Sequence, residues 1–401
     1  MNKIKQLTHM INRKNPFAFI TTLLLVAVMM ACGNPAPVPE KESRVNTDSS
    51  GRTIWSAQKA TAWYAGQPWF VGANFLPSTA INQLEMWQKP TFDTATIDKE
   101  FGWAASLGMN IMRVFLHNLV WQNDEPGFYD RINTLLQIAD KHHIKILFTI
   151  FDSCWDPFPK AGEQHAPVPY VHNSGWVQSP GENILKDPTQ YPVLEKYVKA
   201  VVGHFANDPR IVMWDVWNEP DNPNDPAYIK MELANKPEVV LPLLKKTFEW
   251  ARSVNPTQPL TSGIWAGNWA ADSTLKPMEK LQLEESDVLS FHCYDDSARL
   301  NEKINQLLRY GKPLFCTEYM ARPNKSTFQT CLPVGKKYKV AMINWGFVNG
   351  KSQTIYPWDS WRKSYHSEPP LWFHDIFRKD GTPYKAEEAA FIKQETGKSL
   401  K

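Results

Sequence analysis

Two glutamates carry the chemistry that this sequence suggests first. The stretch Trp214-Asp215-Val216-Trp217-Asn218-Glu219-Pro220 follows the apolar run Ile211-Val212-Met213. A β-rich run is stopped there on a carboxylate, because proline has no N–H to give to a sheet ladder. Pro313-Leu314-Phe315-Cys316-Thr317-Glu318-Tyr319 is again a short apolar run that closes on a glutamate. Two carboxylates, each at the carboxyl end of a strand, are what two-carboxylate glycoside hydrolysis requires. Other polar groups fall at comparable places: Arg113 with His117-Asn118, Asp152, Asn218, His292 with Tyr294, and Asn344-Trp345 leading to Trp358. Any one of them alone reads as an ordinary polar residue at a loop entrance; together they read as a site.

The elements that must position these residues alternate. Short β-rich runs are followed by longer amphipathic stretches, the pattern of βα units around a parallel sheet. The expected strands are 69–75, 110–116, 144–151, 211–217, 260–265, 287–292, 313–317 and 340–345, which is eight, the barrel count. The third is a nearly continuous apolar run, as suits a strand buried on both faces. Helices are expected over 93–107, 129–142, 191–205, 241–254, 300–310 and 385–395, with Gly108 stopping the first. The fold expected is a single (β/α)8 TIM barrel with long loops on the catalytic face, over residues 55–401. The stretch from Asp152 to Asp187 is rich in Pro, Gly, His and Trp and has no periodicity, and so long a loop is usually functional.

Composition narrows the partners. With 44 Lys+Arg against 41 Asp+Glu the formal net charge is +3, so there is no basic field of the kind nucleic acid demands. Nucleic acid is not expected as a partner, and a monomer is. The 17 Trp are many for 401 residues; indole covers the apolar face of a sugar ring while its N–H stays available, core filling being the alternative use.

With these residues in place the chain resembles the retaining glycoside hydrolases of clan A, and in particular the cellulase-like glycoside hydrolase family five. The matching positions are Arg113, Asn218-Glu219-Pro220, His292-Cys293-Tyr294 as a His-x-Tyr, Glu318, and an indole after the eighth strand, Trp358. The resemblance covers about residues 69–358. It implies that Glu219 is the general acid/base and Glu318 the nucleophile in a double displacement, with no cofactor and no metal. Arg113 and Tyr294 would keep the nucleophile ionised, whereas burial and the charge of Glu318 would hold the proton on the acid. Asn218 is placed for the sugar 2-hydroxyl, His292 for Glu219 or the sugar, and Trp358 as the floor under the reacting ring. The implied substrate is a β-linked oligo- or polysaccharide, β-1,4-linked first among them, of glucan, mannan or xylan type.

One position departs from the family. Many relatives end the third strand on a histidine that touches the sugar; here Asp152 stands there, an acid able to bind two sugar hydroxyls. His117 and Asp152 complete the expected substrate-binding set. An open cleft for internal cleavage is the preferred expectation. The alternative is that the long loops, with Trp155, His165, His172 and Trp176 in one and Asp221 and Asn222 in the other, wall off one end so that chain ends are attacked.

The amino-terminal 32 residues carry Lys3, Lys5, Arg13 and Lys14, an apolar run from Phe17 to Ala31, and Cys32. This reads as a secretory signal, and Met29-Met30-Ala31-Cys32 resembles a bacterial lipoprotein signal whose cysteine is acylated. Residues 33–54 are Pro-rich and polar, a tether that reaches rather than folds. The expected location is the cell envelope of a bacterium, with a lipid anchor in the membrane. The remaining cysteines, Cys154, Cys293, Cys316 and Cys331, have no metal-ligand spacing, and their pairing cannot be deduced from sequence. Three other readings compete: a surface protein that binds sugars without catalysis, a transglycosidase using the same glutamates, and a metal enzyme built on His142-His143, His165 and His172, for which solvated histidines are the better account.

Overall fold

The computed structural model describes residues 53–398. The signal segment with Cys32, and the tether up to residue 52, lie outside the described residues. At the amino-terminal edge of the barrel domain Ile54 is buried, and the Trp55 N–H donates to Asp287 Oδ1 at 2.8 Å.

Eight strands form one parallel sheet: β1 (Val71–Phe75), β2 (Ile111–Phe115), β3 (Lys145–Asp152), β4 (Ile211–Asn218), β5 (Leu260–Thr261), β6 (Leu289–Cys293), β7 (Leu314–Tyr319) and β8 (Ala341–Asn344). Their order is β5-β4-β3-β2-β1-β8-β7-β6. The remaining seam, between β5 and β6, is closed by a parallel bridge from Ile264 to Phe291, with Ile264 N donating to Ser290 O at 3.1 Å and His292 N to Ile264 O at 2.9 Å. β5 is two residues long rather than the expected six, and its continuation through Ile264 holds β6 by this bridge, helped by the Thr261 and Ser290 hydroxyls at 2.8 Å. The expected barrel is thus the observed one.

The longest helix after each strand is, in turn, Thr94–Ser106, Glu125–Lys141, Tyr191–His204, Lys236–Ser253, Pro277–Glu285, Ser297–Leu308, Phe328–Lys337 and Ala386–Thr396. Short polar side chains start several of them. Asp93 accepts from Thr96 N at 3.0 Å, Asp124 from Gly127 N at 3.1 Å and Asp296 from Arg299 N at 3.0 Å, each satisfying an otherwise orphaned N–H. Gly108, at φ +74°, ends the first of the ring, a conformation in which glycine has no Cβ penalty. An additional helix, Ala57–Ala65, lies before β1. Its Tyr64 ring packs at 5.4 Å from Phe315 and 6.4 Å from Phe70, in a small cluster with Ile111, Leu147, Met213 and Ile343, separate from the main core between sheet and helices.

Tryptophan serves both the core and the cleft. Trp87, Trp214, Trp217, Trp269 and Trp372 are fully buried, each such side chain worth about 2–3 kcal/mol of burial. Their N–H groups are satisfied, as at Trp87 Nε1 to Phe115 O, 2.7 Å, and Trp217 Nε1 to Ser153 Oγ, 2.9 Å. The four cysteines of the barrel are buried free thiols.

Candidate active site

At the carboxyl ends of the strands lies a cleft of about 400 Å3, in which Asn218, Glu219, Tyr294 and Glu318 meet the indoles of Trp155, Trp265, Trp345 and Trp358. Its charge is organised by Arg113, which is fully buried inside the barrel. Nε and Nη2 both donate to Asp215 Oδ2, at 3.1 and 2.6 Å; Nη1 donates to Asn74 Oδ1 at 2.9 Å and to Glu318 Oε1 at 2.8 Å; Nη2 donates to Asn218 Oδ1 at 2.7 Å. Burial works against the guanidinium charge, but Asp215 and Glu318 outweigh it and hold the group above its ordinary pKa. A planar fork with five donors is the side chain that can bind so many acceptors at fixed angles. Asn74 is itself held by donating to Thr317 O at 2.8 Å and Asn344 O at 3.2 Å.

Glu318 has a second donor, the Tyr294 hydroxyl at 2.6 Å from Oε2. Burial raises its pKa and the nearby Glu219 adds to this, while His292, 3.6 Å from Oε2, then Arg113 and Tyr294 oppose it. Glu219 sits at φ +43°, the left-handed region that costs a non-glycine residue roughly 1–2 kcal/mol. Consecutive strand residues point to opposite faces. The left-handed turn after β4 lets Asn218 and Glu219, neighbours in sequence, both line the cleft.

The donors around Glu219 are uncharged. Asn222 Nδ2 donates to Oε2 at 2.5 Å, the Cys154 thiol stands 3.5 Å from the same oxygen, and His292 Nδ1 lies 2.6 Å from Oε1. Burial raises the pKa of Glu219, opposed in part by Asn222, Cys154 and Arg113. The His292 ring is pushed down to about 4 by burial and is neutral at ordinary pH. One oxygen of each glutamate and a nitrogen of His292 all lie within 4.8 Å of one another. The two glutamates therefore differ in kind: Glu318 has a charged partner, and Glu219 has only neutral ones.

A knot behind Glu219 fixes Asn222. Its backbone carbonyl accepts from Lys236 Nζ at 2.9 Å, and its Oδ1 accepts from Asn224 N at 2.8 Å. Lys236 is buried and pairs with Glu232 at 2.9 Å, and it also donates to Ser153 O at 3.0 Å. Glu232 in turn accepts from Gln178 Nε2 at 2.7 Å and from Asn224 Nδ2. One buried ion pair thus ties the loops after β3 and β4 together.

Tyr294 meets Trp358 edge to face at 5.1 Å, and Phe373 backs the same indole at 4.9 Å. Trp265 is anchored by its N–H on Asp221 Oδ1 at 2.8 Å.

Of the nine residues expected to act on the substrate, Arg113, Asn218, Glu219, His292, Tyr294, Glu318 and Trp358 come together here. His117 does not: it is buried, Nδ1 accepts from Leu119 N at 3.2 Å, Nε2 donates to Gln178 O at 3.0 Å, and burial pushes its pKa down to about 3. Both nitrogens are spent on backbone, so the residue caps a helix turn. Asp152 is likewise turned inward. Oδ1 accepts from Asn218 Nδ2 at 2.9 Å and Cys154 N at 3.1 Å, and Oδ2 from Trp176 Nε1 at 2.6 Å and Gln83 Nε2 at 3.2 Å. Burial pushes its pKa up to about 7 against these donors. No oxygen is left for two sugar hydroxyls, and its place is beneath Asn218, which it orients. Asp152→Ala is expected to lower the unfolding free energy by about 3 kcal/mol, since four buried N–H groups lose their acceptor; a chemical-denaturation midpoint unchanged from the parent would contradict this.

The histidines weighed as metal ligands are dispersed. His142 Nε2 pairs with Asp98 at 2.7 Å, His165 is exposed with Nδ1 on Ala166 O, and His172 is buried among the loops. The parts that Asn74, Asp215, Cys154 and Lys236 play at the site were not read from the sequence, and Asn222 was read only as a loop residue that could wall off the cleft. Asp215 and Asn74 stand inside strands where a polar residue marks something held within the barrel, and that was the available signal.

A family model described as cellulase, glycosyl hydrolase family 5, matches residues 71–364. The chain belongs to glycoside hydrolase family 5. It is a glycosidase that hydrolyses O-glycosyl bonds and acts on a β-linked polysaccharide. It is 24% identical over 314 residues to mannan endo-1,4-β-mannosidase A of Hypocrea jecorina, 67% of each chain. It is 22% identical over 222 residues to mannan endo-1,4-β-mannosidase 8 of Oryza sativa subsp. japonica, 50% of this chain and 54% of that one. Among solved structures, an endo-β-1,4-mannanase from Thermotoga petrophila superposes with a TM-score of 0.53 at 14% identity, covering 84% of this chain and 79% of that one. An exo-β-1,4-mannosidase from Opitutaceae bacterium strain TAV5 superposes at 0.54 with 19% identity, covering 88% of this chain and 63% of that one. These likenesses carry the fold.

Proposed function

We propose that this family 5 enzyme is a retaining β-glycosidase of β-1,4-mannan-type chains, with Glu318 as nucleophile and Glu219 as general acid/base. The observation that carries the mechanism is the spacing of the two glutamates, an oxygen of each within 4.8 Å. Retaining enzymes hold their carboxyl groups about 5 Å apart, whereas inverting ones leave roughly 6.5–9.5 Å for a water. Mannose as the glycone is supported by the names of the curated relatives, both mannan endo-1,4-β-mannosidases.

Ionised Glu318, steadied by Arg113 and Tyr294, attacks the anomeric carbon, while Glu219 gives its proton to the leaving oxygen. A glycosyl-enzyme ester forms on Glu318 as the glycosidic C–O bond breaks. Glu219, now a carboxylate, takes a proton from water, which attacks the same carbon and frees Glu318. Neutral His292 suits both states of Glu219: Nδ1 accepts from the protonated carboxyl or donates to the ionised one. Asn218, clamped by Arg113 and Asp152, has an N–H to offer the sugar 2-hydroxyl, and Trp358 supports the ring.

The pH profile of kcat/KM follows. Glu318 must be ionised, so activity falls as pH drops through its pKa. Glu219 must be protonated, so activity falls as pH rises through its own pKa, which burial has shifted upward. On a 2,4-dinitrophenyl β-mannoside, whose leaving group needs no proton, the alkaline limb is expected to vanish while the acid limb stays. Hydrolysis of gluco- or xylo-oligosaccharides but of no β-mannoside would remove the mannose assignment.

A further inference from the structure

We infer that the cleft is walled on its glycone side, so that the enzyme removes one sugar at a time from the non-reducing end, with His172 reading the terminal residue. The inference rests on the retaining β-glycosidase reading above.

The wall is built from four loops. The loop after β3 (residues 153–190) and the loop after β8 (residues 345–385) are zipped together. Tyr170 N donates to Gln353 Oε1 at 2.9 Å, and Gln353 Nε2 donates back to Val168 O at 2.7 Å and Val171 O at 3.2 Å. Asn173 N donates to Ser352 O at 2.8 Å and His172 N to Ser360 Oγ at 2.9 Å. The loop after β1 joins both: Lys351 N donates to Ser78 O at 3.0 Å, and Asn82 Nδ2 donates to Gly175 O at 2.8 Å. The loop after β4 closes the other end, through the Asp225–Arg362 pair and Tyr228 against Trp361 at 5.4 Å. So many backbone partners make this a built rim rather than loops in passing contact.

Strand order gives the wall its side. β8, β1, β2, β3 and β4 are consecutive around the barrel, and these loops cover that part of the mouth. On the other part the loop after β6 is only residues 294–296, with Asp295 and Asp296 exposed, and the loop after β5 exposes Gly267 and Asn268. Glu219, as acid, must face the leaving group, and Trp265 stands beside it on Asp221. The leaving chain therefore runs out toward β5 and β6, and the glycone faces the wall.

His172 is buried in this wall and lines the cleft. Its Nδ1 lies 2.7 Å from Tyr356 O; a carbonyl only accepts, so Nδ1 carries the proton and Nε2 is left as an acceptor. Burial pushes the ring pKa down to about 4, which keeps that lone pair available. An acceptor at a closed end suits a free sugar hydroxyl, a group that a non-terminal residue lacks where its neighbour is attached. Each turnover adds water across the terminal glycosidic bond and frees one monosaccharide and a chain shorter by one.

The test uses hexasaccharides of the β-1,4-manno, gluco and xylo series, each tagged at the reducing end and followed at early times. In whichever series is turned over, the first tagged product is expected to be the pentasaccharide. Tagged di- or trisaccharides appearing at comparable rates overturn the wall, whichever sugar is cleaved. Turnover only outside the manno series overturns the mannose reading and leaves the wall standing; turnover in none overturns both. Gln353→Ala, which removes three of the bonds of the zip without touching the cleft lining, is expected to raise the share of internal products. His172→Ala is expected to lower kcat/KM on the hexasaccharide by about 10- to 100-fold, the effect of one buried hydrogen-bond partner. An unchanged product pattern in Gln353→Ala together with an unchanged rate in His172→Ala would overturn the role of both residues.

Discussion

Glu318→Gln is expected to lower kcat/KM by about ten-thousand-fold or more on every β-glycoside, whatever its leaving group. Glutamine is nearly isosteric: its one amide oxygen can keep the bond from Arg113 while its NH2 donates to the Tyr294 hydroxyl oxygen, so the fold should survive. What is lost is the nucleophile, without which no glycosyl-enzyme can form. Glu219→Gln should behave differently. On oligosaccharides, whose leaving alcohol must be protonated, the loss is expected to be about 100- to 10,000-fold. On a dinitrophenyl glycoside the first step is spared, and azide should accelerate turnover of Glu219→Ala and leave as a β-glycosyl azide. Equal losses for the two positions on both substrate classes would contradict the division of roles.

Arg113→Ala is expected to cost about 3–5 kcal/mol of stability, the usual effect of removing one partner from a buried ion pair. Asp215 and Glu318, both buried, would be left as carboxylates without their shared cation. Asn218 and Glu318 would lose the group that fixes their angles, and activity should fall by roughly 100- to 1000-fold through misplacement alone. Arg113→Lys separates the two effects. An ammonium keeps the charge but cannot reproduce contacts to Asp215, Asn74, Glu318 and Asn218 at once, so it should recover much of the denaturation midpoint and little of kcat. A lysine variant within about threefold of the parent in kcat would show that charge, and not the fork, is what matters.

The barrel was legible because its strands are buried on both faces and so read as largely apolar runs, most of them with a polar residue at or just past the end. Proline blurred the helices. The helix over Lys236–Ser253 contains Pro242, which reads as a helix start, and the expected boundary accordingly fell at 241. Phe328–Lys337 contains Pro333 and was not read at all, nor was the short, mostly polar Pro277–Glu285. At the mouth, sequence locates a residue on a strand end but not the use of its side chain. Glu219 and Glu318 meet in the cleft, while His117 and Asp152, at equivalent places, have given all their hydrogen bonds to protein. The wall depends on pairings between loops some 180 residues apart in sequence, such as Gln353 with Val168, which no local pattern announces.

The most direct test of the two-glutamate mechanism is the anomeric configuration of the first-formed sugar, followed by proton NMR as an aryl β-mannoside, or the β-glycoside that the enzyme prefers, is hydrolysed. The β-anomer is expected first, with the α-anomer appearing only as mutarotation proceeds. The α-anomer appearing first would mean direct attack by water, and Glu318 would not be the nucleophile.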